Sequence, residues 1–81
     1  MDAIFLKPQT IAESAEVLDC MSAGKTVMLS FEDLDRVSSG RMLDMVTGAA
    51  YVLKGRICRV SAEAVMIAPD GADVEMDSID Q

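Results

Sequence analysis

The sequence predicts an α/β sandwich, of the α+β type, in which two helices pack on one face of a four- to five-stranded mixed sheet. Three observations predict it. Short apolar runs alternate with longer amphipathic stretches, which gives the order β-α-β-α-β-β-(β). The 81 residues suffice for one domain, so we expect a single domain over 1–81. The hydrophobic fraction is 51 % and the aromatic fraction 4 %, so the core must be aliphatic.

The first strand and the first helix are predicted from local signals. Residues 3–7 form a short apolar run, which indicates a strand. Thr10 and Glu13 fit a capping box, in which Thr10 caps the first turn and Glu13 accepts the N–H of the cap residue. Apolar residues at helical spacing predict a helix over 11–22. Gly24 then ends this helix in the left-handed conformation.

The second strand and the second helix follow. Residues 26–31 predict a strand parallel to the first one, since a right-handed crossover through the first helix joins the two. Asp33 or Asp35 is the expected cap of the second helix, and Gly55 after Lys54 is its expected stop. The predicted apolar stripe of this helix comprises Leu34, Val37, Met42, Met45, Val46, Ala49, Val52 and Leu53.

The last third of the chain predicts a hairpin. Residues 56–61 and 64–68 form its two strands, with a tight turn between them. Residues 73–76 predict a short fifth strand at an edge of the sheet. Residues 77–81 predict a frayed acidic tail.

The predicted strands are apolar at consecutive positions, which is typical of strands buried on both faces. Two helices cover only one face of such a sheet. We therefore expect a second copy to cover the other face in a two-fold, sheet-mediated homodimer. The small residues at 48–50 fit either a helix–helix contact between dimers or close packing of the helix on its own sheet. The residues assigned to self-association are Ile57, Val60, Met66, Gly48 and Ala49.

The composition argues against catalysis and against nucleic acid as a partner. The chain has no histidine, which removes the commonest general base and metal ligand. Its formal net charge of −7 repels phosphate backbones. Cys20 and Cys58 are too few for a disulfide framework or a zinc site. We therefore expect a cytoplasmic binding domain without a metal or cofactor, and not an enzyme.

Four basic residues lie close together in this acidic chain: Arg41, Lys54, Arg56 and Arg59. Strand parity puts Arg56 and Arg59 on opposite faces unless a bulge intervenes. Lys54 or Arg56 can still rim one groove with Arg59 at the corner between helix and strand. The alternative is that these residues only balance the local charge.

An ordered set of short segments carries a family resemblance. The set comprises EDLD at 32–35, RMLDMVTGAAYVLKG at 41–55, RVS at 59–61 and IAP at 67–69. Together with the order and spacing of residues 7–29, it resembles the core domain of the SepF family of bacterial cell-division proteins. The resemblance covers residues 3–76.

The resemblance implies an adaptor. Similar proteins link the tubulin-like GTPase FtsZ to the membrane at midcell, bind its C-terminal peptide, and self-associate into dimers and polymers, supporting assembly of the Z-ring and the septum. It also implies a peptide site near the third strand and the hairpin. There Arg59 and Val65 fall at the positions of a basic and an apolar contact, and Lys54 and Arg56 are neighbouring candidates.

The beginning of the chain departs from the family pattern. Family members normally start with an amphipathic membrane-binding helix and a flexible linker, and residues 1–10 contain neither. Membrane contact is therefore expected only through a segment absent from this sequence. The alternative function is a small α/β ligand-binding or regulatory domain that shares only the fold. A pocket lined by polar groups would favour that alternative.

Overall fold

The computed structural model describes residues 3–71 and confirms the predicted fold class, with two helices on a four-stranded mixed sheet. The predicted fifth strand at 73–76 and the tail at 77–81 lie outside the described residues. In chain order the elements are β1 (Ala3–Leu6), a 3₁₀ turn (Ile11–Glu13), α1 (Ser14–Ser22), β2 (Thr26–Ser30), α2 (Arg36–Val52), β3 (Arg56–Ser61) and β4 (Ala64–Ala68).

The strand order in the sheet is β1-β2-β4-β3. As predicted, β1 and β2 are parallel and β3 and β4 form an antiparallel hairpin, while β2 pairs with β4 in the antiparallel sense. Successive side chains of a strand point to opposite faces, so the register defines which residues share a face. One row across the four strands faces the helices and comprises Ile4, Val27, Ile67 and Ile57.

The hydrophobic core lies between the helices and this face of the sheet. Its buried residues come from both helices and from the central strands: Val17, Met21, Val27, Leu29, Phe31, Met42, Val46, Ala50, Val65 and Ile67. The helix α2 contributes Met42, Val46 and Ala50, which recur every four residues and form one narrow stripe.

The predicted stripe of α2 was too wide. Val37 is 71 % exposed and Val52 is 76 % exposed. At about 100° per residue, Val37 lies opposite the centre of the buried stripe and Val52 about 120° from it. The side chains of Val37 and Val52 are apolar, but they therefore do not pack against the sheet.

The start of α1 differs from the predicted capping box. The carboxylate of Glu13 accepts the N–H of Gln9 at 3.2 Å and the hydroxyl of Thr10 at 3.5 Å. No N–H donates to the Thr10 side chain. The Thr10 hydroxyl is a donor here, so the first turn tightens into 3₁₀ geometry, where the N–H of Glu13 bonds the carbonyl of Thr10.

Both helices end in a Schellman arrangement. Gly24 takes the left-handed conformation after α1, with φ of 80°, as predicted. After α2 that conformation belongs to Lys54, with φ of 60°, and not to Gly55. Gly55 is needed for a different reason, because a Cβ there would lie 2.5 Å from the carbonyl oxygen of Ala68.

The face of the sheet away from the helices is called here the open face. Its central row, in register across the four strands, comprises Phe5, Met28, Met66 and Cys58. Phe5 is 64 % exposed, Met28 and Met66 are half-buried, and Cys58 is buried. The expectation of strands buried on both faces fits β2 but not β1, whose residues alternate between exposed and half-buried.

Candidate functional site

Arg59 lies on β3 directly opposite Val65 of β4, at the last regular pair before the hairpin turn. A bulge between Arg59 and Ser61 shifts the register there. The guanidinium turns toward the hairpin turn, where Nη1 donates to the carbonyl of Ala62 at 3.1 Å and to that of Ser61 at 3.5 Å. The bulge therefore holds an exposed arginine over the turn.

Arg59 lines a groove of about 230 Å³ between the first half of α2 and the β3–β4 turn, called here the Arg59 groove. Its apolar lining is supplied by Phe31, Leu34 and Leu43, and its charged lining by Glu32, Arg59 and Glu63. Gly40 of α2 also lines it, and a Cβ built on Gly40 would meet no atom of residues 3–71 within 4 Å. The groove thus has an apolar wall, charged residues at its rim, and free space along the edge formed by α2 at Gly40.

Backbone bonds fix the loop between β2 and α2, which forms one side of the groove. The N–H of Phe31 donates to the carbonyl of Glu63 at 2.7 Å, which ties the end of β2 to the hairpin turn. The N–H of Leu34 donates to the carbonyl of Phe31 at 2.9 Å. Asp35 caps α2 by accepting the N–H of Ser38 at 2.7 Å, and this bond lowers the pKa of the Asp35 carboxyl.

The charges around the groove are unevenly compensated. Glu32 pairs with Lys7, whose Nζ lies 2.9 Å from Oε2, and Asp33 lies 3.9 Å from the same ammonium. The hydrogen bond to Glu32 raises the pKa of Lys7. Within residues 3–71, Arg59 and Glu63 take part in no ion pair. The groove therefore presents one uncompensated cation and one uncompensated anion.

The structure does not bring the predicted basic residues together. Lys54 lies after the end of α2, at the opposite end of the sheet from the hairpin turn. Arg56 pairs with Ala68 and by strand parity shares the open face, whereas Arg59 shares the helix-covered face. The parity argument is thus confirmed, because the bulge comes after Arg59 and not before it.

The expectation for Val65 needs correction. Val65 is only 2 % exposed and belongs to the hydrophobic core. Its position on β4 faces the helices, so a bound peptide cannot contact its side chain without opening the core. The apolar contacts of the groove are Phe31, Leu34 and Leu43 instead, and sequence reasoning assigned none of them to a site. The available signal was the pair of apolar residues flanking the acidic turn at 32–33.

The residues assigned to self-association lie on different surfaces of the protein and not on one face. Met66 lies on the open face, but Ile57 pairs with Ile67 on the opposite face and packs against the core. Ile57 therefore does not fit a sheet-to-sheet contact, and the physical reason is strand parity. Val60 is exposed at the bulge. Gly48 lies on the outer surface of α2, and Ala49 packs partly against the core.

A second groove of about 230 Å³ lies at the other end of the sheet, where both helices end. Met21, Ala50, Leu53 and Ile67 contribute apolar lining, and Lys25 and Asp70 contribute charged lining. None of the residues predicted for peptide binding lines it. This groove serves below as a comparison for the Arg59 groove.

Two general features of the described part of the chain bear on function. Residues 3–71 contain no group of three or more His, Cys, Asp or Glu side chains placed to hold a metal ion. Over the same residues, no helix has the length and apolar character that a membrane span requires.

Comparisons with known proteins agree on one family. The family profile described as "Cell division protein SepF" matches residues 4–74. Among curated proteins, the chain is similar to SepF of Lachnoclostridium phytofermentans, with 26 % identity over 80 residues. It is 30 % identical to SepF of Agathobacter rectalis over 77 residues and 35 % identical to SepF of Symbiobacterium thermophilum over 71.

These matches cover 99 %, 95 % and 88 % of this chain but 39 %, 43 % and 35 % of the relatives. The chain therefore spans less than half the length of these relatives. Among solved structures, it is similar to a SepF-like protein from Archaeoglobus fulgidus, with a TM-score of 0.82, 19 % identity, and 93 % of each chain covered. A SepF-like protein from Pyrococcus furiosus gives a TM-score of 0.77 at 14 % identity, covering 90 % of this chain and 92 % of that one. Both show the same fold.

Proposed function

The chain belongs to the SepF family of cell-division proteins, and from this we propose that it is a division-site adaptor that binds the C-terminal peptide of FtsZ in the Arg59 groove. The observation that carries the proposal is the apolar lining of this groove beside an arginine without an ion-pair partner among residues 3–71. In this role the chain acts by binding and not by catalysis.

The size of the groove favours a peptide side chain over a small molecule. Small-molecule sites usually enclose about 300–1,000 Å³. Both grooves of this structure, at about 230 Å³, are smaller. Neither groove therefore has the volume that the alternative of a small-ligand domain requires.

The chemistry of the groove fits a peptide that presents an apolar anchor and a carboxylate. An apolar side chain can bury against Phe31, Leu34 and Leu43. A carboxylate of the same peptide can accept hydrogen bonds from the Arg59 guanidinium, which holds most of its five donors free of the two carbonyl contacts. Such a pairing is directional, so it would fix the register of the peptide in the groove.

We also propose that the open face pairs with a second copy in a two-fold homodimer, as a basis for higher self-association. Phe5, Met28 and Met66 supply the apolar row. Thr26 lies on the same face by strand parity, and its buried hydroxyl has no hydrogen-bond partner within residues 3–71. This hydroxyl is already inaccessible in the single chain, so the support for pairing at this face is the partly exposed apolar row and not Thr26.

Charge reversal tests the peptide site. A fluorescently labelled FtsZ C-terminal peptide is titrated against wild type, Arg59→Glu and Lys25→Glu, with anisotropy as the readout. The control makes the same charge change at the second groove. We expect about tenfold weaker binding for Arg59→Glu and unchanged binding for Lys25→Glu. Equal effects of the two substitutions, or no binding by wild type, would contradict the proposal.

A further inference from the structure

Glu63 is held in a fixed position at the rim of the Arg59 groove. Its backbone N–H donates to the hydroxyl of Ser61 at 3.2 Å, and its carbonyl accepts the N–H of Phe31 at 2.7 Å. Both backbone polar groups are thus bonded, one within the turn and one to the end of β2. The side chain of Glu63 therefore starts from a rigid point beside the groove.

The carboxylate of Glu63 has no role in holding the described fold together. It lies within ion-pair distance of no cation in residues 3–71, and it accepts no hydrogen bond there. Arg59 is near in sequence, but its guanidinium turns to the carbonyls of Ser61 and Ala62 instead. The cation and the anion of the groove are therefore both available to a bound molecule.

The other acidic residue of the groove is already engaged. Glu32 binds Lys7 at 2.9 Å, which compensates its charge. Among the described lining residues, Glu63 is thus the acidic residue that can form an ion pair with a basic group of a bound partner. With Arg59 it forms two charge contacts of opposite sign beside one apolar wall.

We propose that the segment bound in the Arg59 groove carries an acidic residue and a basic residue around one apolar anchor, and that Glu63 is the residue that selects the basic one. This inference rests on the peptide-binding role proposed above and adds the charge pattern of the ligand. Arg59 pairs with the acidic residue of the bound segment, and Glu63 pairs with its basic residue. A ligand with only acidic residues leaves Glu63 unpaired and binds more weakly.

The test compares versions of the FtsZ C-terminal peptide from the same genome. One version is native, and in a second every Lys and Arg is replaced by Gln. Each is titrated against wild type, Glu63→Gln and Glu63→Lys. Glu16→Lys is the matched control, because Glu16 is an exposed residue of α1 and does not line the groove.

Wild type should bind the peptide without basic residues about twofold to fivefold more weakly than the native peptide, as expected for one solvent-exposed ion pair. The loss on removing the basic residues should be smaller for Glu63→Gln than for wild type, and smaller again for Glu63→Lys; the part that remains reflects the net charge of −7. Glu16→Lys should behave as wild type. Thermal unfolding of the Glu63 variants should match wild type, because the side chain makes no bond within residues 3–71.

The outcomes separate the two proposals. If wild type binds the native peptide and Glu63→Gln keeps the same dependence on its basic residues, Glu63 is not the selector, while the peptide-binding role stands. Tight binding of a native peptide that has no basic residue beside its anchor also overturns the inference. Absence of binding by every version overturns the peptide-binding role and the inference together.

Discussion

Gly40→Leu should block the Arg59 groove and leave the fold intact. Gly40 is exposed on α2, lines the groove, and has open space where a Cβ would be. The new side chain adds four carbon atoms at a groove of about 230 Å³. It therefore competes with the apolar anchor of the peptide, whose burial contributes about 1.5–3 kcal/mol. Loss of that burial corresponds to about tenfold to hundredfold weaker binding.

The same substitution should stabilise the protein. A glycine within a helix costs about 1 kcal/mol relative to alanine, and leucine is nearly as good a helix former as alanine. We expect the free energy of unfolding to rise by about 0.5–1 kcal/mol, which raises Tm by roughly 2–8 °C for a domain of this size. A variant that is more stable and yet fails to bind cannot be explained by unfolding.

Gly48 is assigned to self-association and not to the peptide site, so Gly48→Leu is the matched control on the same helix, with light scattering to report its oligomeric state. Among the described residues, a Cβ at Gly48 also meets no atom within 4 Å, and Gly48 does not line the groove. Circular dichroism should show a similar gain in Tm, and anisotropy should show unchanged peptide affinity. Binding by Gly40→Leu as tight as that of wild type, or an equal loss of affinity in Gly48→Leu, would show that the peptide does not occupy the Arg59 groove.

Three further predictions concern the open face and the cap of α2. Thr26→Val removes a buried hydroxyl that has no hydrogen-bond partner within residues 3–71, so urea unfolding should show about 1 kcal/mol of added stability; a loss would mean that the hydroxyl is bonded. Met28→Glu places a charge in the apolar row of the open face. Light scattering should therefore show a dimer for wild type and a monomer for Met28→Glu. A wild type that is monomeric at micromolar concentration would contradict the proposed dimer. Asp35→Ala should lower Tm at pH 7, and the difference from wild type should shrink as the pH falls toward 3. The pKa of Asp35 is lowered in the folded state, so its contribution is full above the unfolded value of about 3.9 and is lost as the pH falls through the folded value. A pH-independent difference would show that the carboxylate charge is not the cause.

Local sequence signals were sufficient to predict the elements of the fold. The strand at Thr26–Ser30 and the hairpin at 56–68 were predicted within a residue, because short apolar runs are bounded there by turn residues. The end of α1 at Gly24 followed from its need for a positive φ. Lys54 could not be predicted in the left-handed position, since the close approach of Gly55 to Ala68 is a tertiary fact.

The candidate site was less accessible to sequence reasoning. The family resemblance pointed to both Arg59 and Val65 as peptide contacts. Val65 does not fit this role, because strand parity places its side chain in the core. The apolar wall and Glu63 come from the end of β2, from α2 and from the hairpin turn. Only the packing of these elements brings such distant residues together, and no local pattern in the sequence predicts that they are close in space.

The Arg59 groove, and not the second groove, should bind the FtsZ C-terminal peptide. The most direct measurement is a titration of the ¹⁵N-labelled chain with this peptide, followed by amide chemical shifts. The amide shifts of Phe31, Gly40 and Glu63 should change most, and those of Lys25 and Gly55 in the second groove should not change. Changes concentrated at Lys25 and Gly55, or no changes at saturating peptide, would contradict binding in the Arg59 groove.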